Sequence, residues 1–137
     1  MDILIVTFQL SLSAILGAVI GWERERIHKA AGHRTLGLVA VGVTLFTLIS
    51  QYGFPGAVDF DPSRIAAQVI SGIGFLGAGL IIFHNDKIEN LTTAATIWIV
   101  ASIAMAVGIG WYSVALIATV LALVILHIMR LLIPGKK

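Results

Sequence analysis

The sequence predicts an all-α fold: a polytopic membrane protein whose five transmembrane helices form a compact bundle packed through Gly, Ala and Ser faces. Three observations predict it. Hydrophobic residues make up 58% of the 137-residue chain and charged residues only 12%, with a mean hydropathy of +1.01, unlike a water-soluble domain. Apolar runs of membrane-crossing length recur at about 3–21, 36–51, 65–83, 92–108 and 113–132, while the short alternating segments of a barrel are missing. Basic residues also segregate: eight of the nine Lys and Arg fall in the 22–35 segment, the 84–90 loop and the C-terminal end, leaving only Arg64 on the other side. The positive-inside rule then places the N-terminus outside and the C-terminus in the cytoplasm, which five spans satisfy. A single domain over 1–137, without a soluble C-terminal domain, is expected.

The same composition narrows the chemistry. No cysteine is available for a disulfide, a thiolate metal site or a nucleophile. The phosphate-loop, HExxH and GxSxG signatures are lacking, and the four histidines, His28, His33, His84 and His127, have no metal-ligand spacing. All seven carboxylates lie at or beyond the membrane surfaces, whereas a cation pump needs them at mid-membrane depth. A non-enzymatic protein without a cofactor is expected. The net charge of +2 implies no nucleic-acid role.

The first span, Ile3 to Gly21, has no basic leader before it and no small-residue cleavage site after it, so it reads as a span and not as a signal peptide. It contains Gly17-Ala-Val-Ile-Gly21, a GxxxG pattern extended by Ser13, expected to pack against the third helix. The charged stretch after Trp22 offers Glu25–Lys29 and Glu23–Arg26 pairs at helical spacing, so the helix is expected to continue to about Gly32. That stretch is either a solvated basic anchor or, with Glu23, Arg24 and Arg34 together, a polar cluster in the bundle mouth. In the second span, Thr44 and Thr47 are expected to bond back to their own backbone.

The third span is expected to be the central helix. Asp61 reads as its N-cap and Pro62 as its first residue. Ala67, Ser71, Gly74 and Ala78 form one small-residue face, widened by Gln68, Gly72 and Gly79, with Gly77 close by. Small faces let membrane helices approach closely, although glycine is also common in membrane helices generally. Asp61, Arg64, Gln68 and Ser71 also form a polar stripe, expected to descend into the bundle. It is either a capped helix entrance with an Asp61–Arg64 pair or a vestibule where Asp59 and Asp61 attract a hard cation such as Mg2+. After a short polar loop, Thr92 or Thr93 is expected to cap the fourth span. Ala94, Ala101 and Gly108 give that span a third small face, and Trp98 lies within it. Gly108-Ile-Gly-Trp-Tyr112 reads as a tight turn, and the aliphatic fifth span as a peripheral helix facing lipid.

Gly17-Ala-Val-Ile-Gly-Trp-Glu-Arg-Glu25, Ala31-Gly-His-Arg-Thr35, Asp61-Pro-Ser-Arg-Ile65, Ser71-Gly-Ile-Gly-Phe-Leu-Gly-Ala-Gly79 and Leu91-Thr-Thr-Ala-Ala-Thr-Ile-Trp98 together resemble the MgtC/SapB family of bacterial inner-membrane proteins. The chain departs from the family pattern at Asn90, where glycine is usual. Asparagine can adopt the same left-handed turn. It also ends after the fifth span, where many members add a soluble domain. The resemblance implies a role in magnesium homeostasis or adaptation to low magnesium, associated with virulence in pathogens. It implies a membrane regulator acting in the bilayer through a membrane-protein partner, with homo-oligomer assembly a further option. The alternative is a subunit of a magnesium or other cation transporter. The candidate functional residues are Glu23, Arg24, Arg34, Thr35, Asp61, Arg64, Gln68, Thr92, Thr93 and Trp98. The helix-packing residues are Gly17, Gly21, Gly72, Gly74, Gly77 and Gly79.

Overall fold

The computed structural model describes residues 2–54, 56, 61–84 and 87–132. Among the described residues five helices run in chain order: α1 Ile3–Arg26, α2 His33–Tyr52, α3 Ser63–Leu80, α4 Leu91–Gly108 and α5 Tyr112–Leu132. Helices α1 to α4 are long and apolar enough to cross a membrane. A hairpin of two short antiparallel strands, β1 Ile82–His84 and β2 Lys87–Glu89, joins α3 to α4, pairing Phe83 with Ile88.

The helix ends follow local chemistry. Asp2 caps α1 by accepting from the Leu4 N–H at 2.9 Å. The helix stops at Arg26, short of the expected Gly32, because His28 turns left-handed at φ 55° and the Lys29 N–H folds back to the Arg24 carbonyl at 3.1 Å. Lys29 therefore leaves the helical register, and neither Glu25–Lys29 nor Glu23–Arg26 pairs among the described residues. Glu25 bonds to His33 instead. Helix α3 ends at Leu80, three residues before the expected Phe83, as Ile82 and Phe83 extend into β1. Asn90 takes the left-handed conformation its position requires, at φ 63°, and its Nδ2 donates to the Leu80 carbonyl at 3.2 Å. Gly110, at φ 85°, makes the tight turn into α5.

The centre of the bundle is α4, not α3. It packs against all four other helices and buries Thr93, Thr96, Ile97, Val100, Ala101, Ile103, Ala104, Val107 and Gly108. Helix α3 buries only Ile73 and Gly77. The reason is angular. Val69, Ile73 and Leu80 form an aliphatic side that packs inward, and at about 100° per residue the Ala67–Ser71–Gly74–Ala78 stripe is turned away from it. The stripe is therefore exposed, and a Cβ added at Gly72, Gly74 or Gly79 would meet nothing within 4 Å. Of these glycines, only at Gly77 would an added Cβ meet a neighbour, the Ala94 Cβ on α4 at 3.6 Å.

The α1 glycines do pack tightly, but on α2. A Cβ at Gly17 would lie 2.6 Å from the Leu36 carbonyl oxygen, and one at Gly21 would lie 2.5 Å from the His33 Cα. The small face of α4 serves two partners: Ala94 meets α3, while a Cβ at Gly108 would fall 2.7 Å from the Thr47 Cβ on α2. Helix α5 is largely exposed, as expected of a lipid-facing element, with Ala115, Thr119 and Ala122 turned inward. Tyr112 at its start meets Phe8 of α1 edge to face, ring centres 5.4 Å apart.

These approaches predict which glycines are essential. Gly17→Leu and Gly108→Leu should each cost about 3 kcal/mol or more through backbone displacement, while Gly74→Leu should change monomer stability by less than about 0.5 kcal/mol. Thermal unfolding of the variants in detergent measures the contrast.

Candidate functional site

The charged end of α1 divides into a buried and an exposed half. Gly17 and Gly21 bring the first turn of α2 against α1, and this closes over the residues that follow. Arg24 is only 3% exposed, and its terminal nitrogen donates to Thr93 Oγ1 on α4 at 3.2 Å. The Arg24 Nε and both Glu23 carboxylate oxygens are shielded from solvent and have no hydrogen-bond partner among the described residues. Glu23 adjoins Arg24 in the chain, and its negative charge acts on the guanidinium. Arg24 and Thr93 thus form a polar unit joining α1 to α4, with the shielded Glu23 carboxylate next to Arg24 in the chain.

Arg34 is not part of that unit. It stands exposed with Thr35, Glu25, Lys29 and Gly32 around a separate polar recess of about 320 Å³ at the start of α2. The expected cluster of Glu23, Arg24 and Arg34 is thus split, because the α1 helix ends at Arg26 and the chain must turn before α2 begins. Thr93 is a buried acceptor and not a cap. Thr92 is exposed, its carbonyl accepting from Thr96 Oγ1 at 2.7 Å, and Asn90 precedes α4 without a side-chain cap bond. Trp98 is half-exposed beside a groove it shares with Ile73 of α3 and Trp111.

At the other end of the bundle, Asp61 accepts from the Ser63 N–H at 2.9 Å and the Ser63 Oγ at 2.6 Å. Asp61 and Pro62, expected as the N-cap and first residue of α3, both precede it: the helix starts at Ser63 with Pro62 at the cap position, and Asp61 accepts from Ser63 one residue further out. Its Oδ2 lies 3.7 Å from Arg64 Nε. These hydrogen bonds from Ser63, with the charge of Arg64, hold the Asp61 carboxyl below the usual carboxylate range. The stripe does not descend into the bundle. Gln68 and Ser71 are exposed, and Gln68 edges a groove between α2 and α3. Magnesium needs several oxygen ligands, and no three His, Asp or Glu side chains converge among the described residues. Asp59 lies outside them.

Two interhelical anchors were not foreseen. Gln9 Nε2 donates to the carbonyls of Val107 and Gly108 at 3.0 and 3.2 Å, closing the C-terminal end of α4 from α1. Thr44, expected to bond to its own helix as Thr47 does, instead donates across to the Ala104 carbonyl at 3.0 Å. The available signal was Gln9 itself, the one amide side chain in an uncharged, largely apolar span, which must find a partner in hydrocarbon.

Apolar helices of membrane-spanning length, tied together by buried polar bonds, define a multi-pass helical membrane protein. The MgtC family model matches residues 10–133, and the chain belongs to that family. It is 45% identical over 125 residues to YhiD of Escherichia coli (strain K12), whose name carries a proposed magnesium-transport role, covering 88% of this chain and 58% of YhiD. It is 42% identical over 119 residues to the protein MgtC of Brucella abortus (strain 2308), covering 87% of this chain and 49% of that one. With MgtC of Salmonella typhimurium (strain 14028s / SGSC 2262) it shares 46% identity over 109 residues, 80% of this chain and 46% of that protein. The chain thus spans about half the length of these curated relatives. No solved structure matches.

Two outcomes test the site. Arg24→Ala strands Glu23 without its counter-charge and should cost about 3 kcal/mol or more, while Thr93→Val should cost about 1 kcal/mol, both read by unfolding in micelles. A folded-state pKa depressed at Asp61 adds stability above the unfolded value near 4, and this is lost as pH falls through the lower folded value. Asn keeps the capping acceptor but not the charge, so Asp61→Asn should unfold at a lower temperature than wild type at neutral pH. The gap should close in acid below about pH 4.

Proposed function

We propose that this chain acts in magnesium homeostasis, in adaptation to low magnesium, as a non-enzymatic regulator of the bacterial inner membrane working through a membrane-protein partner. The observation that carries the reading is the Glu23–Arg24–Thr93 unit. Near the end of α1 it holds a shielded carboxylate without a hydrogen-bond partner among the described residues beside a buried guanidinium that donates to α4. Buried charge of this kind is costly, and it persists where it serves recognition or switching. The magnesium link rests on membership of the MgtC family and on the names of the relatives. In the proposed topology the basic end of α1 faces the cytoplasm, which puts the unit within reach of a partner there.

The name of YhiD favours a second reading, a subunit of a magnesium transporter. Asp61 speaks against a transport ligand in this chain, since its oxygens are engaged by Ser63 and face Arg64. The test uses cells that depend on this protein for growth at low magnesium. Glu23→Gln, nearly isosteric but uncharged, should abolish growth while Asp61→Asn supports it. Pure protein in proteoliposomes should pass no Mg2+. Wild-type growth of Glu23→Gln cells would remove the proposed site, and Mg2+ flux lost in Asp61→Asn would establish the transport reading.

A further inference from the structure

The outer side of α1 carries a second feature, independent of the buried unit. Ile15, Ala18, Val19 and Trp22 line a groove of about 550 Å³ on the exterior of the bundle, whose lining also includes Arg26, Glu25 and His33. Its walls change character along the helix axis. Ile15, Val19 and Trp22 are exposed apolar side chains in the part of α1 that crosses the hydrocarbon. Trp22 sits where an interfacial aromatic belongs, and Arg26 follows one turn later on the same face. Val19 and Arg26 are separated by about 10 Å of helix rise, enough to take an acyl chain from the hydrocarbon to the headgroup level.

The charge at the polar end is matched to an anion. The one carboxylate there, Glu25, is already engaged, bonded to His33 Nδ1 and to the His33 N–H at 3.2 Å. Arg26 is exposed and makes no hydrogen bond or ion pair among the described residues. On the far side of Glu25, Lys29 and Arg34 line the adjoining polar recess, so with Arg26 three cations flank a single carboxylate that is already bonded to His33. An apolar channel leading to a cationic mouth at headgroup depth is the complement of an anionic phospholipid, and basic pockets beside membrane helices bind such headgroups.

We propose that the α1 groove is a seat for an anionic phospholipid, with one acyl chain along Ile15, Ala18 and Val19 and the phosphate held by Arg26. The lipid covers the α1 side of the bundle and anchors the Glu25–His33 contact that joins α1 to α2.

Native mass spectrometry of the full chain in detergent, titrated separately with phosphatidylglycerol and phosphatidylcholine, tests this. Wild type should retain phosphatidylglycerol several-fold above phosphatidylcholine, and Arg26→Gln should bring the two level. Lys87→Gln, which removes an equal charge from the exposed β2 strand, should leave the preference intact. Val19→Trp, substituted at an exposed position so that the fold is retained, should lower uptake of both lipids by filling the groove, with thermal unfolding confirming each variant's fold. Equal uptake of the two lipids by wild type would overturn the proposal. So would a preference that survives Arg26→Gln, one that Lys87→Gln reduces as strongly, or unchanged phosphatidylglycerol uptake by Val19→Trp. Full displacement of phosphatidylglycerol by an equal concentration of inorganic phosphate would also overturn it, since the recess would then recognise a free anion without the chain.

Discussion

Helix α4 is held along its length by donors that cross from its neighbours. Arg24 bonds to Thr93 at one end, Thr44 to the Ala104 carbonyl farther along, and Gln9 to the Val107 and Gly108 carbonyls at the other end. These points span about 22 Å of helix rise, enough to set the axial position and rotation of α4 against α1 and α2. The constraint is physical: hydrocarbon supplies no water, so a donor within the span must meet a protein acceptor. Once these bonds are made, α4 cannot slide by a turn without leaving several polar groups unsatisfied. The close packing of Gly108 against Thr47 then falls at a fixed place.

The remaining elements are arranged about that axis. The GxxxG face of α1 brings it against the start of α2, and this contact shuts Glu23 and Arg24 away from solvent. The same short connection throws Arg26, Lys29 and Arg34 outward, giving one end of the bundle an inner and an outer charged layer. Helix α3 is attached by its aliphatic side, with Ile73 and Gly77 buried and grooves on both flanks. Its first residues are tied to α2 by the Ser50 hydroxyl, which donates to the Pro62 carbonyl. Its last residues are tied to α4 through Asn90. A helix fastened mainly at its ends and along one narrow strip leaves its small-residue stripe toward the bilayer.

Much of this was legible in residues read singly or in short patterns. Five apolar runs became five helices, the left-handed turn at Asn90 and the tight turn at Gly110 formed where expected, and Gly17 and Gly21 are close-approach sites. The Asp61–Arg64 pair formed as a helix entrance. Family membership was readable because its motifs are contiguous stretches of sequence. Of the candidate site, Arg24 and Thr93 meet across α1 and α4 and Glu23 lies shielded beside Arg24 in the chain, whereas Arg34 stands apart, and neither Thr92 nor Thr93 caps α4.

The sequence by itself determined where the chain crosses apolar surroundings, where it turns left-handed at Asn90 and Gly110 and which α1 positions admit a neighbouring backbone, since each depends on the nature of a residue and its nearest neighbours along the chain. Only the tertiary structure decided which helix is central and which faces meet. A stripe of glycine and alanine states that a close approach is allowed, and it carries no information about whether one occurs. In α3 the aliphatic side filled the space beside α4, and the small stripe was left outside. The pairing of Arg24 with Thr93, 69 residues apart, likewise depends on two helix ends reaching the same level of the bundle. That level is set by the crossing bonds to α4, and no local pattern in either segment encodes it.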